Sequence, residues 1–223
     1  MIQSKKIITL FFCTMYITIS ISHAQLNLLT DYFKIHINSN GFITSMKNIT
    51  VKPFREFSIN GKPSPLMCLY NSSKKKYYEP EKATFENNNT IIALRYANGS
   101  VAKVAFSVHK KYFKFTLQSL TQREGIDDIQ WGSFKTNITN LFGDVIGVAR
   151  DTTESVNYAI GALALNDMTI GGNSTTEGDA AAFQYVIHTP DAKRFPLLAQ
   201  LHEGQLFPIG GNGISDVALY AHP

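Results

Sequence analysis

IDDIQWGSFKTNITNLFGDVIGVARDTTESVNYAIGALALNDMTIGG, residues 126–172, contains the single tryptophan of the chain, Trp131, and a cluster of charge at Asp144, Arg150 and Asp151. It also contains the most apolar extended run outside the N-terminus. Val156, Tyr158, Ile160, Ala162 and Ala164 fall on one face of that run; Ala159, Gly161, Leu163 and Leu165 fall on the other. Period-two spacing with apolar residues on both faces predicts a strand buried on both sides, in the middle of a layered β structure.

Working outward, the same period recurs. Upstream, Ile92, Leu94 and Tyr96 alternate with Ile91, Ala93 and Arg95. Asn98-Gly99 then gives a hairpin signal, since this pair tolerates positive φ at both turn positions. Ala102, Val104, Phe106 and Val108 share one face of the next segment. After Lys110-Lys111, Phe113, Phe115 and Leu117 alternate with Lys114, Thr116 and Gln118. Residues 90–120 therefore read as a three-stranded antiparallel meander with one polar side. Earlier still, Phe33, Ile35 and Ile37 alternate with Lys34, His36 and Asn38, Ser39-Asn40-Gly41 turns, and Phe42, Ile43 and Met46 return. Further strands are predicted at 54–59, 66–70, 77–78, 83–85, 128–134, 145–151, 158–165, 183–187 and 217–220. Residues 170–178 read as a loop, and 194–207 as room for one short helix.

No segment keeps helical periodicity over ten residues with capping residues at its ends. The expectation is an all-β chain: a two-layer antiparallel β-sandwich forming one domain over residues 25–223.

Residues 1–24 read as a secretion signal. Lys5 and Lys6 precede an uncharged apolar run from Ile7 to Ile21, and Ser22-His23-Ala24 places small residues at −3 and −1 of a cleavage site before Gln25. About 15 apolar residues fall short of the roughly 20 that span a bilayer, so no membrane span is expected after cleavage. Cleavage of the 223-residue chain leaves 199 residues and lowers the formal charge from +4 to about +2. A near-neutral chain whose one dense basic run, Lys74-Lys75-Lys76, follows a turn-like Asn71-Ser72-Ser73 gives no nucleic-acid footprint. Of the two cysteines, only Cys68 remains, within PLMCLY, where it reads as a small buried apolar residue. An exported chain without a disulfide relies on its core, and one of this size buries roughly 70% of its unfolded surface.

The candidate chemistry is sparse. Glycoside hydrolysis needs two carboxylates about 5 to 10 Å apart. Asp144 and Asp151 bracket an extended segment and sit on the order of 23 Å apart at about 3.3 Å per residue. Asp127 and Asp128 are adjacent and point to opposite faces of a strand. Sugar epimerisation needs a histidine and a carboxylate converging on one point. His109, His188 and His202, with Glu177 or Glu203, are the available groups, none in a recognisable motif. The sequence contains no GxSxG, HExxH, P-loop or paired-cysteine zinc pattern. The Gly171-Gly172 and Gly210-Gly211 pairs read as loop glycines. No catalytic residue, metal site or cofactor is assigned. The substrate-binding candidates are Trp131, whose flat π-face suits a pyranose although a strand tryptophan is more often core, and Arg150 with Asp151. These last two are either a polar clamp for hydroxyls or a charge pair anchoring a sheet edge.

The order of YFKIHINSNGFITSM, SPLMCLY, the meander, IQWGSFKTNI, GDVIGVARD, YAIGALALN and TIGG resembles the N-terminal β-supersandwich (galactose-mutarotase-like) domain of large secreted bacterial proteins related to glycoside hydrolases. In that arrangement the sandwich precedes a (β/α)₈ catalytic barrel. The resemblance covers most of the chain after the signal and is most specific from Trp131 to Gly172. It implies an exported, carbohydrate-related, non-catalytic module that packs on a barrel or shapes its cleft, with the catalytic acids in the barrel. The sequence reaches His222-Pro223 without a βαβ pattern, so the barrel is expected outside this chain. The residues leave two alternatives open: a small mutarotase-like epimerase, and a stand-alone carbohydrate-binding or adhesive module.

Overall fold

A computed structural model describes residues 25–50, 52–139, 142–143, 147–151, 158–165, 169–173, 180–188 and 215–222. Among these the chain is all-β, every strand pairing is antiparallel, and there is no helix. The predicted helix at 194–207 and the signal segment lie outside the described residues.

Three sheets form. The first runs β1 (Leu26–Leu29), β2 (Phe33–Ile37), β3 (Phe42–Asn48) and β4 (Arg55–Glu56), with β5 (Ser64–Pro65) also pairing β3. The second has eight strands in the order β13 (Phe142–Gly143), β14 (Gly147–Asp151), β15 (Tyr158–Ala164), β18 (Ser215–His222), β11 (Tyr112–Leu120), β10 (Val101–Val108), β9 (Ile91–Tyr96) and β8 (Pro80–Glu86). The third runs β16 (Ile170–Asn173), β17 (Ala182–His188), β12 (Asp128–Lys135), β6 (Met67–Asn71) and β7 (Lys76–Tyr78).

The two five-stranded sheets join edge to edge. The Gly132 N–H donates to the Leu66 carbonyl at 3.2 Å, and the Asn137 N–H to that of Phe57 at 2.8 Å. The Lys135 N–H donates to Ser64 Oγ at 2.9 Å. Both sheets face the eight-stranded one. Phe33 on β2 meets Phe113 on β11 with ring centroids 5.5 Å apart. The Tyr96 hydroxyl on β9 donates to the Met67 carbonyl on β6 at 3.2 Å, and the Tyr185 hydroxyl on β17 donates to the Ala162 carbonyl on β15. The result is a two-layer sandwich around one continuous core.

The meander forms as its alternation dictates. Phe113, Phe115 and Leu117 are buried, and β11 pairs β10 from Phe113↔Val108 to Leu120↔Ala102. Its turn differs from the primed type that Asn-Gly favours. Only Gly99 takes positive φ, at +86°. Its N–H donates to the Tyr96 carbonyl at 2.9 Å, while the Asn98 side chain accepts from the Ser100 N–H at 3.1 Å. This is a longer turn closed by glycine rather than a two-residue loop.

Three other expectations change. The strand at 54–59 shrinks to β4 because the Glu56 carboxylate takes the place of a ladder partner, accepting from the Met46 N–H at 2.9 Å and the Ser58 N–H at 3.0 Å. Residues 170–173 pair with β17 as β16 rather than looping. Strand β15 lies inside its sheet as expected, and Tyr158, Ile160 and Ala162 are buried, but Leu163 and Leu165 are 41% and 40% exposed. Among the described residues no third layer covers the outer face of the eight-stranded sheet at these two residues.

A β-bulge positions the surface described next. On β12, Ile129 and Trp131 point into the core, and simple alternation would then send Phe134 outward. The register shifts between Gly132 and Phe134, so Phe134 returns to the core. Gln130, Ser133 and Lys135 come to share the outer face. Gly132 sits at φ +81°, and a Cβ there would lie 2.5 Å from the Phe134 nitrogen and 2.6 Å from the Phe183 carbonyl oxygen. Glycine is required at this position.

Candidate functional site

The outer face of the third sheet carries a cleft. The pairings Gln130↔Cys68 between β12 and β6 and Tyr70↔Tyr77 between β6 and β7 set side chains from three strands beside one another on that face. Strand β7 alternates: Tyr78 is buried in the core, so Tyr77 points out and is 53% exposed. The Tyr77 ring leans on Tyr70 with centroids 4.6 Å apart, which fixes the orientation of its free face.

Next to Tyr77, Cys68, Glu79, Gln130, Ser133, Lys135 and Gln184 line a hollow of about 320 Å³. A second hollow of about 460 Å³ adjoins it between β7 and β8 and shares Tyr77 and Glu79, adding Lys76, Glu81 and Ala97. Both volumes fall within the range of small-molecule clefts, about 300–1,000 Å³.

The electrostatics follow from the walls. Cys68 is 4% exposed, and burial pushes its thiol up to about 12, with the Glu79 carboxylate adding to the rise and Lys135 offsetting part of it. A thiol held protonated is no nucleophile, which agrees with Cys68 as a buried apolar residue. The Tyr77 hydroxyl is also raised, first by its partial burial and then by Tyr70, Asp128 and Cys68. Near neutral pH it is a neutral donor. The cleft therefore offers an apolar ring face, the Gln184 amide, hydroxyls, a carboxylate and an ammonium within one depression, while Gln130, buried in its floor, donates its NH2 to the Gly132 carbonyl at 3.2 Å. These groups can hold a polar ring compound by stacking and hydrogen bonding.

The residues picked from sequence lie elsewhere. Trp131 is 0% exposed, on the inner face of β12. As a core side chain it has no free face for a sugar, which corrects the stacking role. Arg150 and Asp151 end β14, opposite Ala159 and Tyr158. Arg150 is exposed and lies on a different sheet from the Tyr77 cleft. Asp127 accepts the Ser72 N–H at 2.6 Å and so anchors the turn after β6. Asp144 lies outside the described residues, as do His202, Glu177, Glu203 and Gly210-Gly211. His109 sits 2.9 Å from Ser107 Oγ and stacks on Tyr112 at 4.4 Å; neither contact is a carboxylate. His188 faces Asp128 in the β12–β17 register. Gly171 and Gly172 belong to β16. Among the described residues no cluster of three or more histidine, cysteine or acidic side chains is placed to hold a metal.

Tyr77, Glu79, Lys135, Gln130 and Gln184 were not singled out from sequence. The available signal was the Tyr77-Tyr78 pair, in which strand alternation must expose one ring.

No protein family and no curated protein matches the chain. Among solved structures it is similar to a polysaccharide lyase, at 12% identity and a TM-score of 0.43, over 86% of this chain and 32% of that one. It is also similar to a mutant of the heparan sulfate lyase HepC from Pedobacter heparinus, at 11% identity and a TM-score of 0.40, over 90% of this chain and 37% of that one. The chain spans about a third of the length of these two structures.

Proposed function

We propose that this chain is an exported, non-catalytic sandwich module that holds carbohydrate along the Tyr77 cleft beside a catalytic domain of a longer glycan-degrading protein. The observation that carries the reading is the Tyr77 ring, 53% exposed and braced on Tyr70, above a floor of amide, hydroxyl and charged groups. A braced aromatic costs little side-chain entropy when it stacks, and polar groups around it fix ring orientation. The layered arrangement, with eight strands facing two edge-joined sheets, supports a galactose-mutarotase-like supersandwich.

The test is a glycan array probed with the full chain and with Tyr77→Ala. Saccharide binding that the substitution abolishes supports the proposal. Binding to no glycan, or binding indifferent to Tyr77, overturns it. Export rests on the first 24 residues, and a secreted protein whose N-terminus is Gln25 is the expected product; a cell-retained chain beginning at Met1 would refute export.

A packing role finds separate support in Leu163 on β15 and Leu165 just after it, both exposed apolar side chains. Replacing both with serine should release a catalytic domain from the module without altering Tyr77-dependent binding. Unchanged association would remove that role. The epimerase alternative has no such observation behind it: His109 lines neither hollow, and His202, Glu177 and Glu203 lie outside the described residues.

A further inference from the structure

We infer that the cleft selects an uncharged saccharide chain at least two rings long, one ring on either side of Tyr77, and rejects uronate or sulfated chains. The inference rests on the carbohydrate reading above and adds the substrate class.

The charge distribution argues for neutrality. Lys76 lines the second hollow together with Glu79 and Glu81, and Lys135 lines the first together with Glu79, so each ammonium shares its hollow with at least one carboxylate. Glu79 and Lys135 line the same hollow as the buried Cys68 and act on its thiol in opposite senses, a carboxylate and an ammonium in one depression. Carboxylates only accept hydrogen bonds and ammonium groups only donate, whereas amides do both. A sugar hydroxyl also does both and can satisfy every group in such a set. A sulfate or carboxylate only accepts; it would gain Lys135 and meet Glu79 as a like charge, whose juxtaposition disfavours binding.

The shape argues for length. Two hollows, about 320 and about 460 Å³, adjoin at Tyr77 and Glu79, the residues they share. A single ring fills one side only. A chain running from β12 toward β8 fills both and places Tyr77 at the linkage.

Calorimetric titration of the full chain tests both parts, using cellohexaose, xylohexaose and mannohexaose as neutral probes, hexagalacturonate and a heparin hexasaccharide as anionic ones, and the parent monosaccharides. The expected result is that a neutral hexasaccharide binds with an affinity unchanged by added salt. Its monosaccharide should bind at least about tenfold more weakly, roughly 1.4 kcal/mol. In the Glu79→Gln/Glu81→Gln variant the ratio of anionic to neutral affinity should rise at least about tenfold, whatever the loss of the two carboxylates does to the neutral ligand itself; an unchanged ratio would overturn the charge selection. A preference for an anionic probe, weakening with salt, would overturn the neutral selection while leaving the carbohydrate role intact. A monosaccharide that binds as tightly as its hexasaccharide would overturn the two-ring reading. Binding of no probe would overturn the carbohydrate role itself.

Discussion

Replacing Trp131 separates a core role from a binding role. The indole is fully buried on the inner face of β12, a central strand flanked by β17 and β6. A tryptophan buries about 150–250 Å², and at about 25 cal/mol per Å² its removal forfeits roughly 4–6 kcal/mol of apolar burial. Truncations of this kind cost about 3–5 kcal/mol in measured cores, where neighbours relax partly into the cavity. Trp131→Ala should therefore lose several kcal/mol, and its melting temperature should fall on the order of 10 °C, given about 2–4 °C per kcal/mol for a domain of this size. Urea denaturation followed by far-ultraviolet circular dichroism reads the loss without needing the indole as a probe. A variant within about 1 kcal/mol of the parent that nonetheless lost saccharide binding would refute the core assignment and restore Trp131 to the surface.

Three more outcomes follow from the same geometry. Gly132→Ala should destabilise by about 1–3 kcal/mol or more, since its Cβ meets two backbone atoms and its φ is positive; denaturant titration showing no loss would remove the bulge from the account. Cys68, an acid whose folded pKa is raised to about 12, keeps its proton in the folded state after the unfolded chain has lost it. Stability is thus fully present below about pH 9 and falls toward pH 12, by up to about 1.4 kcal/mol per pH unit from this group. Measured between pH 9 and 10, below the range in which buried Tyr96 contributes, that slope should flatten in Cys68→Ala, and an unchanged slope would contradict the burial. Deleting residues 215–222 should divide the eight-stranded sheet, because β18 is the shared neighbour of β11 and β15. Thermal unfolding should then lose cooperativity or shift sharply downward, whereas an unaltered transition would argue that β18 is peripheral.

The fold was largely legible because period-two alternation reports directly which face of a strand is covered. Phe33 to Ile37, the meander and Tyr158 to Ala164 all appear where the alternation puts them. It misled where side chains or single residues intervene. Glu56 replaces ladder bonds and shortens β4, and Leu163 and Leu165 look buried by composition yet face outward. The bulge at Gly132 slips the phase between Trp131 and Phe134, so the outer-face set of Gln130, Ser133 and Lys135 is invisible to a fixed period. The cleft was not legible for a related reason. Its residues come from β6, β7, β12 and β17, and only the non-sequential order of those strands brings Tyr77 beside Lys135 and Gln184. Trp131 drew attention as the single tryptophan, although rarity says nothing about which face of β12 it occupies.

The central claim is that the working surface is the outer face of the third sheet at Tyr77. Amide chemical-shift mapping of the full chain during titration with a neutral oligosaccharide tests it most directly. The account predicts saturable shifts at Tyr77, Gln130, Lys135 and Gln184, with Arg150 and Asp151 on β14 unmoved. Shifts centred on Arg150 and Asp151, with the Tyr77 strand silent, would contradict it.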